Sequence, residues 1–161
     1  MSHQAVIDGA EFARNGEALH GIIAVADLMR LGDTLHDKGG EVKYELSGAL
    51  NAESKPVLHL RVAGTLHLVC QRCLGPLPYR FKLRHDLLLA LSEAEFNRLA
   101  DDLEAADSIL ASRAMNVAEL VEDEIILSLP LAPKHAAGEC DGVGAGGTAS
   151  PFAALAALKK H

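Results

Sequence analysis

Three cysteines and one histidine have the spacing that is most typical of a chemical site in this chain. Cys70 and Cys73 form a CxxC turn, His135 and Cys140 form an HxxxxC pair, and the chain has no further cysteine. Two local pairs of soft ligands are a common way to build a structural zinc site. The spacing therefore predicts one structural zinc that is held by these four residues. Two alternatives stay open: reduced thiols without a metal, and a redox-active CxxC. A reactive CxxC normally opens a helix, whereas this one follows a strand.

A run of three carboxylates is the second chemical feature. Glu122, Asp123 and Glu124 lie in a helix predicted over 117–129, where Glu124 interrupts the apolar face and the other two flank it. Adjacent carboxylates can bind a metal or act in acid–base catalysis. The alternative is two solvated acids and a Glu124 that pairs with an Arg or a His of the sheet, because a buried carboxylate usually finds a partner. No nucleophile or phosphate loop is nearby, so the pattern favours the second interpretation and predicts no enzyme.

Basic residues are concentrated between Lys55 and His85, a stretch that contains no Asp or Glu although the whole chain has a net charge of −7. The alternation of the predicted strands puts them on one face, which can bind phosphates; RNA helices are recognised largely through backbone and shape. The alternative is an ordinary solvated face that pairs with the acidic helix. The predicted RNA-binding residues are His59, Arg61, His67, Arg72, Arg80, Lys82 and Arg84.

Strands followed by helices must position these residues. Apolar and polar residues alternate through most of residues 41–91, which predicts an antiparallel meander with one packed and one solvated face. A further short strand is expected at 19–23, and 104–114 is expected to be a loop. The predicted fold is α+β: an antiparallel β-meander sheet of three to five strands with helices packed on one face, followed by a flexible C-terminal tail. The helices are predicted over 24–36, 92–103 and 117–129.

Length and composition fit one domain with a tail. The 161 residues are 49% hydrophobic and 23% charged, so residues 1–140 can form one core. No apolar run is long enough for a membrane span, the N-terminus has no secretion signal, and the cysteine pattern is not that of a secreted disulfide protein. We therefore expect a cytoplasmic protein that has reduced thiols and does not bind a membrane.

The last twenty-one residues have a different composition. Residues 141–150 are Gly-rich, which predicts a flexible linker, and 151–161 form a segment that can become helical. So short a helix is not stable alone in water, so it is expected to form on docking. The residues predicted to dock on a partner protein or on the domain itself are Phe152, Leu155, Leu158 and Lys159.

Three ordered motifs resemble one known family. They are the Cys70–Leu74 turn after a strand, the run from Val121 to His135 with Cys140 five residues beyond it, and the segment from Pro151 to Lys159. Over roughly residues 19–160 the chain is similar to the bacterial YceD family of large ribosomal RNA subunit accumulation proteins. The residues that carry the middle motif are Glu122, Asp123, Glu124, Pro130 and Pro133.

The resemblance implies a cytosolic, non-enzymatic factor that is needed for normal accumulation of large-subunit ribosomal RNA, with precursor RNA binding in plant relatives. The hypothesis is a ribosome-biogenesis factor that binds or protects large-subunit (23S) rRNA precursor, has no small-molecule substrate, and can contact an assembly protein through its tail. One alternative is a protein adaptor of ribosome assembly without direct RNA contact. Another is a thiol- or metal-dependent enzyme.

Overall fold

The computed structural model describes residues 5–102, 104 and 107–140, so the predicted linker and docking tail lie outside the described residues. The described chain is α+β, with a five-stranded sheet, a two-stranded sheet and three α-helices. None of these helices has the length and the apolar composition that crossing a membrane requires. The elements are β1 (Val6–Ile7), α1 (Gly9–Arg14), β2 (Ala18–Ala24), β3 (Glu41–Leu50), β4 (Pro56–Val69), β5 (Pro76–Ala90), α2 (Glu93–Asp101), β6 (Ser108–Leu110), β7 (Met115–Asn116) and α3 (Val117–Ser128).

The main sheet has the strand order β2-β3-β4-β5-β6. Strands β2 to β5 form the predicted antiparallel meander, which includes the short strand expected near Leu19. The expected loop over 104–114 is wrong in part, because β6 lies within it and pairs in parallel with β5. This pairing makes the sheet mixed. A strand of three residues is too short to show alternation, so only its neighbour in the sheet reveals it.

One side of the sheet, which we call the packed face, carries the core. Helix α1 packs on β3 and β4, and α3 packs on β4 and β5. The side chains that β4 sends to this face are at most 2% exposed: Leu58, Leu60, Val62, Leu66 and Leu68. The opposite side, which we call the open face, carries the charged residues of the same strands. The predicted alternation therefore holds, since successive side chains of a strand point to opposite faces.

The helix expected over 24–36 is wrong. This segment forms two short 3₁₀ turns, Val25–Asp27 and Met29–Leu31, and then Leu35 makes an isolated bridge to Leu68. Leu28 breaks the helical backbone between the two turns with φ −86° and ψ 84°. The apolar spacing is nevertheless meaningful, because Val25, Leu28 and Leu31 are at most 2% exposed. A spacing of three residues suits a 3₁₀ turn as well as an α-helix, so the pattern predicted burial correctly and conformation incorrectly.

The helices expected over 92–103 and 117–129 are present as α2 and α3. Ser92 caps α2 by accepting the N–H of Glu95 at 3.2 Å, and the Glu95 carboxylate accepts the N–H of Leu91 at 2.9 Å. Asn116 caps α3, and the helix ends at Ser128, two residues before Pro130. Both starts follow the preference for side chains that accept the first free N–H groups of a helix.

Gly48 of β3 lets α1 approach the packed face closely. A Cβ atom at this position would lie 2.5 Å from the Cα atom of Ala13 and 2.5 Å from the carbonyl oxygen of Phe12. Both are backbone atoms, so a rotamer change cannot relieve the clash. We expect Gly48→Ala to lower the free energy of unfolding by about 2 kcal/mol, as overpacking typically does. Urea unfolding measures the change, with Ser47→Ala on the neighbouring position as control. Equal stabilities of the two variants would contradict the close approach.

Candidate metal centre and nucleic-acid interface

The four predicted zinc ligands come together at one end of the sheet. Their ligand atoms all lie within 4.8 Å of one another. The Sγ atoms of Cys70 and Cys140 are 3.9 Å apart, and Nδ1 of His135 lies 3.5 Å from Cys73 Sγ and 3.7 Å from Cys140 Sγ. In a tetrahedral zinc site with Zn–S near 2.3 Å and Zn–N near 2.0 Å, ligand atoms are about 3.5–3.8 Å apart. The group can therefore hold a metal ion in the spacing that zinc prefers.

The turn between β4 and β5 sets the position of the first ligand pair. The N–H of Leu74 donates to the Cys70 carbonyl at 2.9 Å, and the N–H of Cys70 donates to the Gly75 carbonyl at 3.0 Å. Leu74 has a φ of +59°, a left-handed conformation that closes the turn. The N–H of Gln71 donates to the Pro133 carbonyl at 2.9 Å and so fastens the segment after α3 to the turn. Backbone bonds thus bring the two pairs together.

Arg72 belongs to this centre rather than to the row of strand cations. Its Nη2 atom donates to the carbonyl oxygens of His135 at 2.6 Å and Ala136 at 3.1 Å. That Arg72 contacts phosphate stays a prediction; in the structure its guanidinium has two carbonyl acceptors beside a predicted ligand. Its position between two cysteines explains why: the side chain that leaves the turn meets the loop that supplies the other ligands.

The hydrogen bonds around the centre prepare the ligand atoms. His135 Nε2 lies 3.0 Å from the Pro76 carbonyl, so this nitrogen donates and Nδ1 presents its lone pair to the sulfurs. Backbone N–H groups, first that of Cys73, lower the pKa of Cys70 to about 5. Burial raises the pKa of Cys140. Cys70 is therefore held as a thiolate, which is the form that binds metals.

Glu124 pairs with His85 beneath α3. His85 stands opposite Leu60 in the register and so points to the packed face, where its Nδ1 contacts a carboxylate that is 4% exposed. This agrees with the interpretation that Glu124 pairs with a sheet residue. Burial raises the pKa of Glu124, and the attraction of His85 opposes the rise. The signal for His85 was present in the sequence, as the one basic residue on the apolar side of β5.

Glu122 fastens α3 to the two 3₁₀ turns. It is 5% exposed, accepts the backbone N–H of Arg30 at 2.6 Å and that of Leu31 at 3.2 Å, and pairs with Arg30 Nε at 3.3 Å. The Arg30 guanidinium also pairs with Asp123. The expectation that Glu122 is solvated is therefore wrong. Among the described residues, the set of three or more ligand atoms that could share an ion is the Cys/His group, and the carboxylate run is not part of it.

We expect Glu124 to make stability depend on pH. Its pKa is raised on folding, so between its ordinary value near 4.5 and the raised value the folded state holds more protons than the unfolded state. Stability that is fully present below that window is then lost as the pH rises through it. Glu124→Gln should remove this loss. Thermal unfolding at a series of pH values compares the variant with the parent, and Glu53→Gln, at an exposed acid of the turn between β3 and β4, is the control. Parallel pH profiles for Glu124→Gln and the parent would contradict the assignment.

The predicted strand cations lie on the open face, but three of the predicted residues have acidic partners there. Arg61 lies 3.7 Å from Glu45 on the neighbouring strand. His59 Nδ1 lies 2.7 Å from the carboxylate of Asp86, and His67 Nδ1 lies 3.1 Å from that of Asp37. The lack of Asp and Glu between residues 55 and 85 gave no sign of these ion pairs. Their acidic partners come from β3, from the end of β5 and from the segment before β3.

Arg80, Lys82 and Arg84 are exposed on β5 and have no ion pair with any described residue. Lys43 joins them, since it stands across Ala63 from Lys82 in the register. The sequence interpretation missed Lys43, although the alternation of β3 puts it on the same side. A shallow hollow of about 780 Å³ covers this part of the open face. It is lined by Glu41, Lys43, Ala63, Thr65, His67, Arg80, Lys82, three glycines and the buried Phe81 of the core.

Comparison with known proteins decides the family. The family model described as Large ribosomal RNA subunit accumulation protein YceD matches residues 58–159. The chain belongs to the YceD family. The match contains most of β4, all of β5, the whole Cys/His group and the carboxylate run, whereas Lys43 lies outside it. The family description is consistent with a role in ribosome biogenesis. No solved structure matches the chain significantly.

Proposed function

We propose that this YceD family member is a non-enzymatic ribosome-biogenesis factor of the cytoplasm that binds large-subunit rRNA or its precursor directly and so promotes its accumulation. The observation that supports it best is the row of Arg80, Lys82 and Arg84, which are exposed and without ion pairs in the described chain. Cations that are neutralised by acidic partners contribute little to phosphate binding, whereas cations without such partners can replace the counterions of RNA.

The geometry of β5 suits a nucleic-acid backbone. Alternate residues of a strand lie about 6.8 Å apart on the same face. The three cations therefore form an evenly spaced row along one face of the sheet. Neighbouring phosphates can each meet a cation of this row. The net charge of −7 weakens the attraction of RNA to the rest of the protein surface. The row of cations therefore sets the orientation in which the protein binds RNA.

Crosslinking in living cells tests the proposal. Living cells are irradiated with ultraviolet light, the RNA attached to the protein is sequenced, and the crosslinked peptides are mapped by mass spectrometry. We expect a peak in large-subunit rRNA precursor and crosslinks in the peptides of β4 and β5. A protein that carries no RNA above background but still co-purifies with an assembly factor would contradict direct binding.

A protein adaptor is the second candidate, and exposed leucines near the metal centre favour it. Leu127 of α3 is 76% exposed, Leu131 beyond α3 is 106% exposed, and Leu74 of the turn is 69% exposed. The adaptor hypothesis also uses the tail residues from Phe152 to Lys159, which lie outside the described residues. Deletion of 151–161 should then abolish recruitment to the assembly factor. Direct RNA binding predicts instead that RNA affinity survives this deletion.

We also propose that Cys70, Cys73, His135 and Cys140 bind one zinc ion as a structural centre. The ligand spacing and the Nε2 hydrogen bond of His135 support zinc over reduced thiols without metal. A thiol enzyme needs an accessible nucleophile, whereas Cys70 is fully buried and Cys73 and Cys140 are partly buried. Metal analysis of the purified protein should find about one zinc per chain. Protein that contains no metal after purification without chelators would contradict the proposal.

A further inference from the structure

Phe, Tyr and Trp side chains are absent from the open face of strands β2 to β5, and the structure describes every residue of these four strands. Tyr79 stacks on Phe81 with ring centroids 6.1 Å apart, and both rings belong to the packed face. Phe12 and Tyr44 are also part of the core, Phe96 lies on α2, and Phe152 lies outside the described residues. Around the cations the sheet surface is built mainly from charged, small and hydroxyl side chains, with Ile22 and the imidazoles of His20, His59 and His67 in addition.

This composition excludes the usual way of holding single-stranded RNA. Proteins that bind single strands stack successive bases on aromatic rings, which contributes about 1–3 kcal/mol per base, and a charged groove follows the backbone. The open face has the charges without Phe, Tyr or Trp rings, and its imidazoles of His59 and His67 are paired with Asp86 and Asp37. An unpaired strand would leave its bases in water and gain phosphate contacts alone.

The arrangement of the cations suits two backbones better than one. Arg80, Lys82 and Arg84 follow β5, and Lys43 stands two strands away, about 10 Å across the sheet. Between these strands the floor of the hollow is formed by the small side chains Ala63 and Thr65. A wide, shallow surface can therefore approach from above and meet Lys43, which lies between Glu41 and Glu45, on one side and the β5 row on the other.

An A-form RNA helix has such a surface. Its minor groove is wide and shallow, lies between the two phosphate backbones and exposes the 2′-hydroxyl groups, whereas its major groove is too narrow for side chains. The Thr65 hydroxyl, at the centre of the hollow, can donate to and accept from a 2′-hydroxyl. Contacts of this kind depend on shape and carry little base sequence information.

We infer that the open face recognises double-helical RNA, across the minor groove and without base specificity. The inference rests on the proposed function, since it states which form of RNA that function takes. The duplex lies over the hollow between β3 and β5, with Lys43 on one phosphate backbone and the β5 row on the other.

Fluorescence anisotropy with two labelled probes tests the inference. One probe is an RNA duplex of about 20 base pairs, and the other is one of its two strands, chosen to be unable to fold on itself. We expect the full chain to bind the duplex at least about tenfold more tightly than the strand. A second duplex of scrambled sequence should bind equally well.

Two variants test whether the hollow is responsible for the preference for duplex over single-stranded RNA. Lys43→Gln should weaken duplex binding by about threefold to tenfold and change binding of the strand less, since it removes the contact to the second backbone. Arg14→Gln, which removes an exposed cation of α1, is the matched control and should leave both affinities unchanged.

The possible outcomes separate this inference from the proposed function. Equal or tighter binding of the single strand overturns the duplex preference and leaves direct RNA binding standing. Binding of neither probe overturns both. A strong preference for one of the two duplex sequences would show that bases are read and would overturn recognition by shape.

Discussion

Cys73→Ser is expected to abolish zinc binding and to lower the free energy of unfolding by about 4 kcal/mol or more, because loss of a structural metal is among the most destabilising single changes. The segment after α3 is held to the β4–β5 turn by backbone contacts of Gln71 and the guanidinium of Arg72. These bonds are exposed to water, so the metal would contribute most of the attachment. Metal analysis and urea unfolding of the same samples measure the two effects together.

Gln71→Ser is the control for this change. Gln71 lies in the same turn, its side chain is exposed, and its backbone bond to Pro133 does not depend on the side chain. The control should keep its zinc and lose little stability. A strong chelator should lower the stability of the parent and the control to that of Cys73→Ser and leave Cys73→Ser unchanged. If the chelator changes none of the three proteins, the centre is a cluster of thiols and not a metal site.

The triple variant Arg80→Gln, Lys82→Gln and Arg84→Gln is expected to lower RNA affinity about a hundredfold at low salt. Each lost phosphate contact also removes counterion release, so the slope of log affinity against log salt should become shallower by about two to three. All three side chains are exposed, and none has an ion pair with a described residue, so the fold should not depend on them. Anisotropy titrations at several salt concentrations measure both quantities.

The matched control changes the net charge equally at other places. Arg14 of α1, Arg98 of α2 and Arg113 before β7 are all exposed and lie off the open face of β3 to β5. Their combined replacement by Gln should leave affinity and salt slope close to those of the parent. A loss as large as that of the β5 variant would mean that the overall charge, and not the row of cations, controls RNA binding.

The sequence determined which side of each long strand is buried and which residues can ligate a metal. Alternation is a local property of the chain: in β3 and β4 the apolar side chains face the core, and the basic row of β5 follows from the same rule. The spacing of Cys70 and Cys73 is likewise local. Caps are local too, which is why the starts of α2 and α3 could be predicted from Ser92 and Asn116.

Tertiary structure alone decided the partners of the charged residues and the shape of the segment before β3. Whether Arg61 is neutralised depends on Glu45 of another strand, and the burial of Glu122 depends on Arg30, which lies 92 residues away. The residues from Val25 to Leu35 have a spacing that suits either helix type, so packing against β4 and α3 selected the 3₁₀ turns. Local periodicity indicates which side chains are buried, but the elements that meet them in space determine their conformation and their charge.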